Sequence, residues 1–435
     1  MTKINLNRLE FEWRRIRQIP LPTLVGKATA KLLGLGLGLT LLPVTVLLHL
    51  LGYRHVTIFT DRIGHLALEP DCLLKEQALG TIPHRKWIML APPSRVANEH
   101  LLTYWQPHFH IVHNYFACFL LASMSRWGLM RYDISHYARA IGKAQAAYRI
   151  YSEWGGRLPT LNLTPEDEAW GKEMLQSLGV PEGAWFVCAH AREAGFSPID
   201  EELHKHRNSR IGNLAEAMRE VIRRGGWIIR MGDSSMHTLS SMDKVIDYAH
   251  HTLKSDRLDI VLCAKAKFFL GNTSGIAYVS SVFGVPCALA NLIPVATLGF
   301  NSSDISIPKL IQSQTDHRYM NFDEILGSDI ANYQYASQYD ARGLAVIENS
   351  SADICLLVTE MLDRLEGRFV ETRQDRERQA AIRNLFTKDH YAFCSTSGLS
   401  TLFLRAHTEL LPEPIPAKET VAARLGSALN APIGP

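Results

Sequence analysis

The sequence predicts an α/β chain in which two Rossmann-like domains face a cleft, preceded by an apolar helix. Three observations carry this. Apolar runs of strand length alternate with helical stretches in two separate series, the pattern of parallel sheets with crossover helices. In the second series the strands run out into polar or glycine residues: Trp185–His190 into Ala191-Arg192-Glu193, Ile228–Met231 into Gly232-Asp233, and Phe268–Leu270 into Gly271–Gly275. The 435 residues also exceed what one core supports, since single cores stop growing near about 250–300 residues.

The chain opens with a basic arm (Arg8, Arg14, Arg15, Arg17, Lys27 and Lys31, against Glu10 and Glu12) and then runs from Leu32 to Tyr53 without a charged residue. That length could span a bilayer. Gly34, Gly36, Gly38, Pro43 and His49 interrupt it, and it starts too far in and lacks the small-residue cleavage site of a signal peptide. The expectation is a monotopic or re-entrant helix with the arm against anionic lipid; the alternative is a buried helix of the first domain.

The next elements follow in order. Arg54–Thr60 alternates and is β-branched, so it reads as a strand, and Asp61-Arg62-Ile63-Gly64-His65 leads into a helix to about Glu76. Lys86–Ala91 is a second strand, Ser94 the expected cap of a helix to Trp105, and Phe109–Val112 a third strand. Residues 116–160 give no clear assignment. Thr164-Pro165 starts a helix that ends near Gly179. The strand to His190, a polar loop to Asn208, a helix over 213–224 and the strand to Met231 come next. A helix is expected over 241–250 and strands over 258–263 and 268–270. A helix over 274–283, a strand over 286–290 and helices over 352–366 and 371–386 complete the series. The resulting division is an arm and apolar helix (1–53), a first domain (54–163), a second domain (164–370), C-terminal helices (371–410) and a loose tail (411–435).

Composition narrows the function. The 46% hydrophobic and 20% charged fractions are ordinary for a globular α/β chain, and a net charge of +3 gives no nucleic-acid signal. Eighteen scattered histidines show no zinc spacing, and seven cysteines contain no C-x-x-C pair. Most of those cysteines sit in apolar runs, which suits a reducing, cytosolic-side environment.

Ligands of open α/β sheets bind at the carboxyl ends of the strands, so the second domain supplies the candidate site. His190-Ala191-Arg192 puts an arginine past a strand end, where it grips a diphosphate or pairs with Glu193. Arg207 and Asn208 lie in the following loop, which either folds over a nucleotide or is simply solvated. Arg230-Met231-Gly232-Asp233 closes the next strand, with a glycine that permits close approach and an aspartate that contacts ligand or caps a helix. Gly271-Asn272-Thr273-Ser274-Gly275 offers backbone N–H donors, two hydroxyls and a helix dipole to phosphate, or is a plain strand-to-helix turn. It lacks the lysine of a Walker loop. No D-x-D is present in this region, so arginines and helix ends are expected to neutralise a diphosphate without metal or other cofactor. In the first domain His65 and Asp61 are the candidate bases.

These motifs carry a resemblance. Phe186–Glu193, His206-Arg207-Asn208, Arg230–Asp233, Leu270–Gly275 through Pro286, and Arg62–His65 together resemble a bacterial family of glycosyltransferases associated with surface-polysaccharide gene clusters, over roughly residues 55–370. The His190-x-Arg192 element is further similar to the donor-diphosphate motif of fucosyltransferases that use GDP-fucose, with Glu193 where that motif has a second basic residue. The resemblance implies a GT-B fold and transfer of a sugar from a nucleotide-sugar donor to a lipid-linked or polysaccharide acceptor at a membrane surface. A nucleotide-sugar epimerase of the same fold and a non-catalytic assembly protein of a polysaccharide complex are the rival readings.

Overall fold

The computed structural model describes residues 21–137, 145–194 and 198–412. The arm before Leu21 and nearly all of the tail expected after Leu411 lie outside the described residues. The chain divides into two compact units, ending and beginning at Ile141 and Gly142.

The first unit holds the apolar segment and a four-stranded sheet. Helix Leu21–Thr40 is followed by helix Leu42–Leu50, bent by 65° from it. Pro43, in the first turn of the second helix, has no N–H with which to continue the first. Among the described residues no single helix is long and apolar enough to cross a membrane; only the bent pair taken together is. Strands β1 (Tyr53–Thr57), β2 (Lys86–Leu90), β3 (Phe109–Val112) and β4 (Arg131–Asp133) are all parallel, in the order β3-β2-β1-β4. The helix expected from Ser94 begins later, at Glu99, because the side chain of Asn98 accepts from Leu101 N–H at 2.8 Å and caps it.

The second unit carries a seven-stranded parallel sheet. Its strands are β5 (Phe186–His190), β6 (Trp227–Arg230), β7 (Val245–Ile246), β8 (Phe269–Gly271), β9 (Cys287–Leu292), β10 (Ile305–Pro308) and, after an antiparallel pair β11 (Leu310–Ser313) and β12 (Leu344–Ile347), β13 (Gly398–Leu399). The sheet order is β13-β10-β9-β8-β5-β6-β7. From β5 the chain builds outward through β6 and β7, then returns to the other side of β5 with β8. The topological switch point therefore lies between β5 and β8, where His190 pairs with Gly271. Helix Gln145–Trp154 belongs to this unit rather than to the domain drawn as 54–163: Tyr148 is fully buried and donates to Leu298 O at 2.8 Å.

Two expected elements differ. Residues 258–263 are not a strand but part of helix Asp256–Lys265, started by Ser255, which accepts from Leu258 N–H. A short run that is apolar but for Asp259 buries in either form, so periodicity does not separate them and the cap decides. Residues 241–250 are not a helix: Lys244 takes a left-handed φ of 56°, and Val245–Ile246 then pairs with Ile228 and Ile229.

Candidate functional site

The loops leaving β5 and β8 are locked together across the switch point. Asn272 does this with one carboxamide: its Oδ1 accepts from Arg192 N–H at 3.1 Å, while Nδ2 donates to Arg207 O at 3.0 Å and Ser209 Oγ at 2.9 Å. Ser209 N–H returns to Arg192 O at 2.9 Å, and Arg207 Nη2 donates to Thr273 O at 2.9 Å. Two segments of the connection after β5, around Arg192 and around Arg207–Ser209, are thus held against the loop after β8 at one end of the sheet. Asn272 itself is buried and serves this frame.

Within the frame sit polar groups with no hydrogen-bond partner in the protein. The Thr273 and Ser274 hydroxyls, Nδ1 of His190 and both ring nitrogens of His206 are buried and unbonded. Ser274 occupies the N-cap of helix Gly275–Val282 without capping it. Buried polar groups are nearly always satisfied, so a concentration of unbonded ones is unusual for a protein interior. Burial drives the His190 imidazole down to about 4, with Arg230 adding, and His206 down to about 3, with Arg207 adding. Both rings are held neutral.

The surroundings are cationic. Arg192 donates to Asn208 Oδ1 and lies 3.9 Å from Glu201, whose other oxygen accepts from Asn208 Nδ2 at 2.6 Å. Lys309, just past β10, is 3% exposed and donates to Asn208 O at 2.5 Å. Burial pushes its pKa down to about 8, with Glu348 opposing and Arg192 reinforcing the shift. Backbone donors at a helix start, two hydroxyls, the buried Lys309 and the half-buried Arg192 and Arg207 are groups of the kind that bind oxyanions.

Other expected site residues have different surroundings. Arg230 is fully buried, with Nη1 on Asp247 at 2.8 Å and Nη2 on His237 O at 2.9 Å and Glu193 at 3.4 Å. Glu193 also accepts from His237 N–H at 2.8 Å, so the pair pins the loop after β6. Gly232 serves that loop: its φ is +143°, and a Cβ there would fall 2.3 Å from Met236 Sδ. Asp233 accepts from Ser235 N–H at 2.8 Å, a turn bond.

In the first unit, Asp61 and His65 follow β1, next to that sheet's own switch point between β1 and β4. His65 Nδ1 is paired with Glu69 Oε1 at 2.7 Å across one helical turn, and its ring meets Phe59 edge-on. Glu69 is buried, and burial raises its pKa while the bond to His65 opposes the shift. Asp61 is exposed and 3.6 Å from Arg95.

Lys309, Glu69 and Glu201 escaped the sequence reading. Lys309 did leave a signal, a lone lysine in the run Ile305-Ser306-Ile307-Pro308-Lys309-Leu310-Ile311. Among the described residues no group of three or more His, Cys, Asp or Glu side chains is placed to hold a metal ion. A surface hollow lined by Asn162, Glu168, Lys265 and Phe283 lies at the opposite edge of the sheet, where helices run into the strands.

No family model matches the chain, and no curated protein does. Solved structures that overlap it include the glycosyl transferase family 9 from Veillonella parvula DSM 2008 (12% identity, 54% of this chain and 79% of that one, TM-score 0.35). The E. coli ADP-heptose lps heptosyltransferase II overlaps similarly (13% identity, 54% and 83%, TM-score 0.32), as does the dodecameric iron-containing heptosyltransferase TibC in complex with ADP-D-beta-D-heptose (13%, 55% and 58%, TM-score 0.33). At these scores the likeness carries no argument for what this chain does.

Proposed function

We propose that the chain is a glycosyltransferase that moves a sugar from a nucleotide-sugar donor to a lipid-linked or polysaccharide acceptor in bacterial surface-glycan synthesis. The observation that carries the proposal is the set of buried, unbonded groups of His190, His206, Thr273 and Ser274 beside Arg192, Arg207 and Lys309. In the reaction, an acceptor hydroxyl oxygen bonds to the anomeric carbon, the bond from that carbon to the diphosphate breaks, and the hydroxyl proton passes to a base. Charge builds on the departing nucleoside diphosphate. Arg192, Lys309 and the N-terminus of helix Gly275–Val282 would stabilise it, with the Thr273 and Ser274 hydroxyls donating to phosphate oxygens. No metal is required by this account.

For the base, the geometry favours His65 over Asp61. With Nδ1 on buried Glu69, the imidazole is fixed in orientation and its Nε2 is left to take a proton. Asp61 has no comparable support. The acceptor belongs to the first unit in this reading, and the apolar helices keep the protein at the cytoplasmic face of the inner membrane, peripheral or monotopic. Titration of the full chain with UDP, GDP and ADP tests the donor half. Saturable binding of one of them in the presence of EDTA supports the proposal, and failure of all three to bind removes it.

A further inference from the structure

We propose that the first unit sits on an anionic bilayer through one composite apolar face, with helix Leu21–Thr40 lying along the membrane surface instead of crossing it. The proposal rests on the membrane reading above and names the surface and its geometry.

At 100° per residue, Val25, Leu32, Gly36 and Leu39 fall on one stripe of that helix. The three large side chains are exposed, Leu32 at 70%, and a Cβ on Gly36 would meet nothing within 4 Å. Gly34 and Gly38 lie on the other side. A Cβ on Gly34 would fall 2.9 Å from Arg126 Nε, and one on Gly38 would fall 2.6 Å from Ser123 O and 2.8 Å from Trp127 Nε1. The two glycines therefore let the backbone seat closely on helix Tyr115–Met124 and the turn after it. Lys27 and Lys31 fall on this inner side by the same angular count. The second helix repeats the arrangement: Thr45 is buried and Leu41 and Leu48 pack on Ile88, Met124 and Met130, while Val44, Leu47 and Leu50 are exposed, Leu50 at 76%. The elements that receive the helices add exposed side chains of their own, Tyr115, Phe116 (69%), Trp127 and Leu129. His49 Nδ1 ties to Leu129 O at 2.5 Å, which joins the two parts.

An exposed apolar face of this extent marks an interaction surface. Charge selects the occupant. From Trp13 to Thr60 there is no acidic residue, while Arg14, Arg15, Arg17, Lys27, Lys31 and Arg54 are basic. Apolar side chains outward, lysines on the inner side and tryptophan and tyrosine among the exposed groups are the arrangement of an in-plane helix on anionic lipid.

The test is flotation of the full chain with vesicles of phosphatidylcholine containing 30% phosphatidylglycerol, compared with pure phosphatidylcholine vesicles, for the wild type and Phe116→Glu. Binding is expected to the anionic vesicles, with at least a tenfold loss in Phe116→Glu, although Phe116 lies outside the apolar segment. An N-terminal epitope tag should stay open to protease added outside the vesicles. GDP, UDP or ADP binding, measured in parallel, should be the same in both proteins, so a failed donor site is told apart from a failed membrane face. Equal flotation of Phe116→Glu and wild type overturns the composite face. A protected tag overturns the in-plane arrangement. Absence of vesicle binding, with a dimer in solution that Leu32→Glu converts to a monomer, replaces the membrane by a second copy of the chain.

Discussion

The Asn272 carboxamide accepts the backbone N–H of Arg192 at 3.1 Å, which joins the loop leaving β5 to the loop leaving β8 at the sheet's switch point. The same side chain also bonds Arg207 O and Ser209 Oγ. Asn272→Ala would leave these groups buried and unpaired, at about 1–3 kcal/mol each. We expect a clear fall in the thermal midpoint together with loss of nucleoside-diphosphate binding. A variant that melts like the wild type and still binds would refute the frame.

Arg230 and Arg192 should separate by phenotype. Arg230 is wholly buried between Asp247 and Glu193, and breaking a buried pair costs about 3–5 kcal/mol. Arg230→Met should therefore lower stability strongly in denaturant titration. Arg192→Ala should leave the fold intact and abolish turnover.

Glu201 is the carboxylate that reaches the Arg192–Asn208 pair. A diphosphate gripping Arg192 has to displace it. Glu201→Gln should therefore tighten nucleoside-diphosphate binding several-fold, measured by calorimetry; weaker binding would show that Glu201 builds the site instead of competing for it.

Two pH dependences follow. Lys309 loses its proton as pH rises through about 8, so diphosphate affinity should fall across that range and the fall should disappear in Lys309→Met. His206 is held neutral down to about pH 3, below the ordinary histidine value of 6.5. Between those limits the unfolded chain binds more protons than the folded one, so stability is full above 6.5 and is lost as pH falls below it. Denaturant melts of His206→Asn against wild type between pH 7 and 4 should show a flatter decline in the variant.

Much of this arrangement was legible in the sequence because the strands of parallel sheets are apolar throughout and end abruptly in polar residues. β5, β6, β8 and β9 were read that way, as was the Thr164 cap, which accepts from Asp167 N–H at 3.1 Å. Helix Asp256–Lys265 is not, since its Leu258–Cys263 stretch, apolar but for Asp259, is too short to show a period. The partners of candidate residues were also hidden. Arg192, two residues past β5, and Arg230, the last residue of β6, look alike as arginines at strand ends, and only long-range packing shows that Arg230 is consumed by Asp247 and Glu193. Lys309 reaches the site from distant sequence, just past β10, and Glu201 from helix Pro198–His204, and no local motif announces either.

In the first unit, Glu69 is expected to orient His65. Glu69→Gln should lower kcat at least tenfold with little change in KM for the donor, and His65→Ala should abolish transfer while nucleoside-diphosphate binding is retained. Lost binding in either variant would contradict the division of labour between the two units.

The most direct measurement is calorimetric titration of the full chain and of Arg192→Ala with UDP, GDP and ADP in EDTA. The account predicts saturable binding of at least one nucleotide to the wild type and its loss, with an unchanged melting curve, in Arg192→Ala. Binding that survives the substitution, or no binding by the wild type, would contradict it.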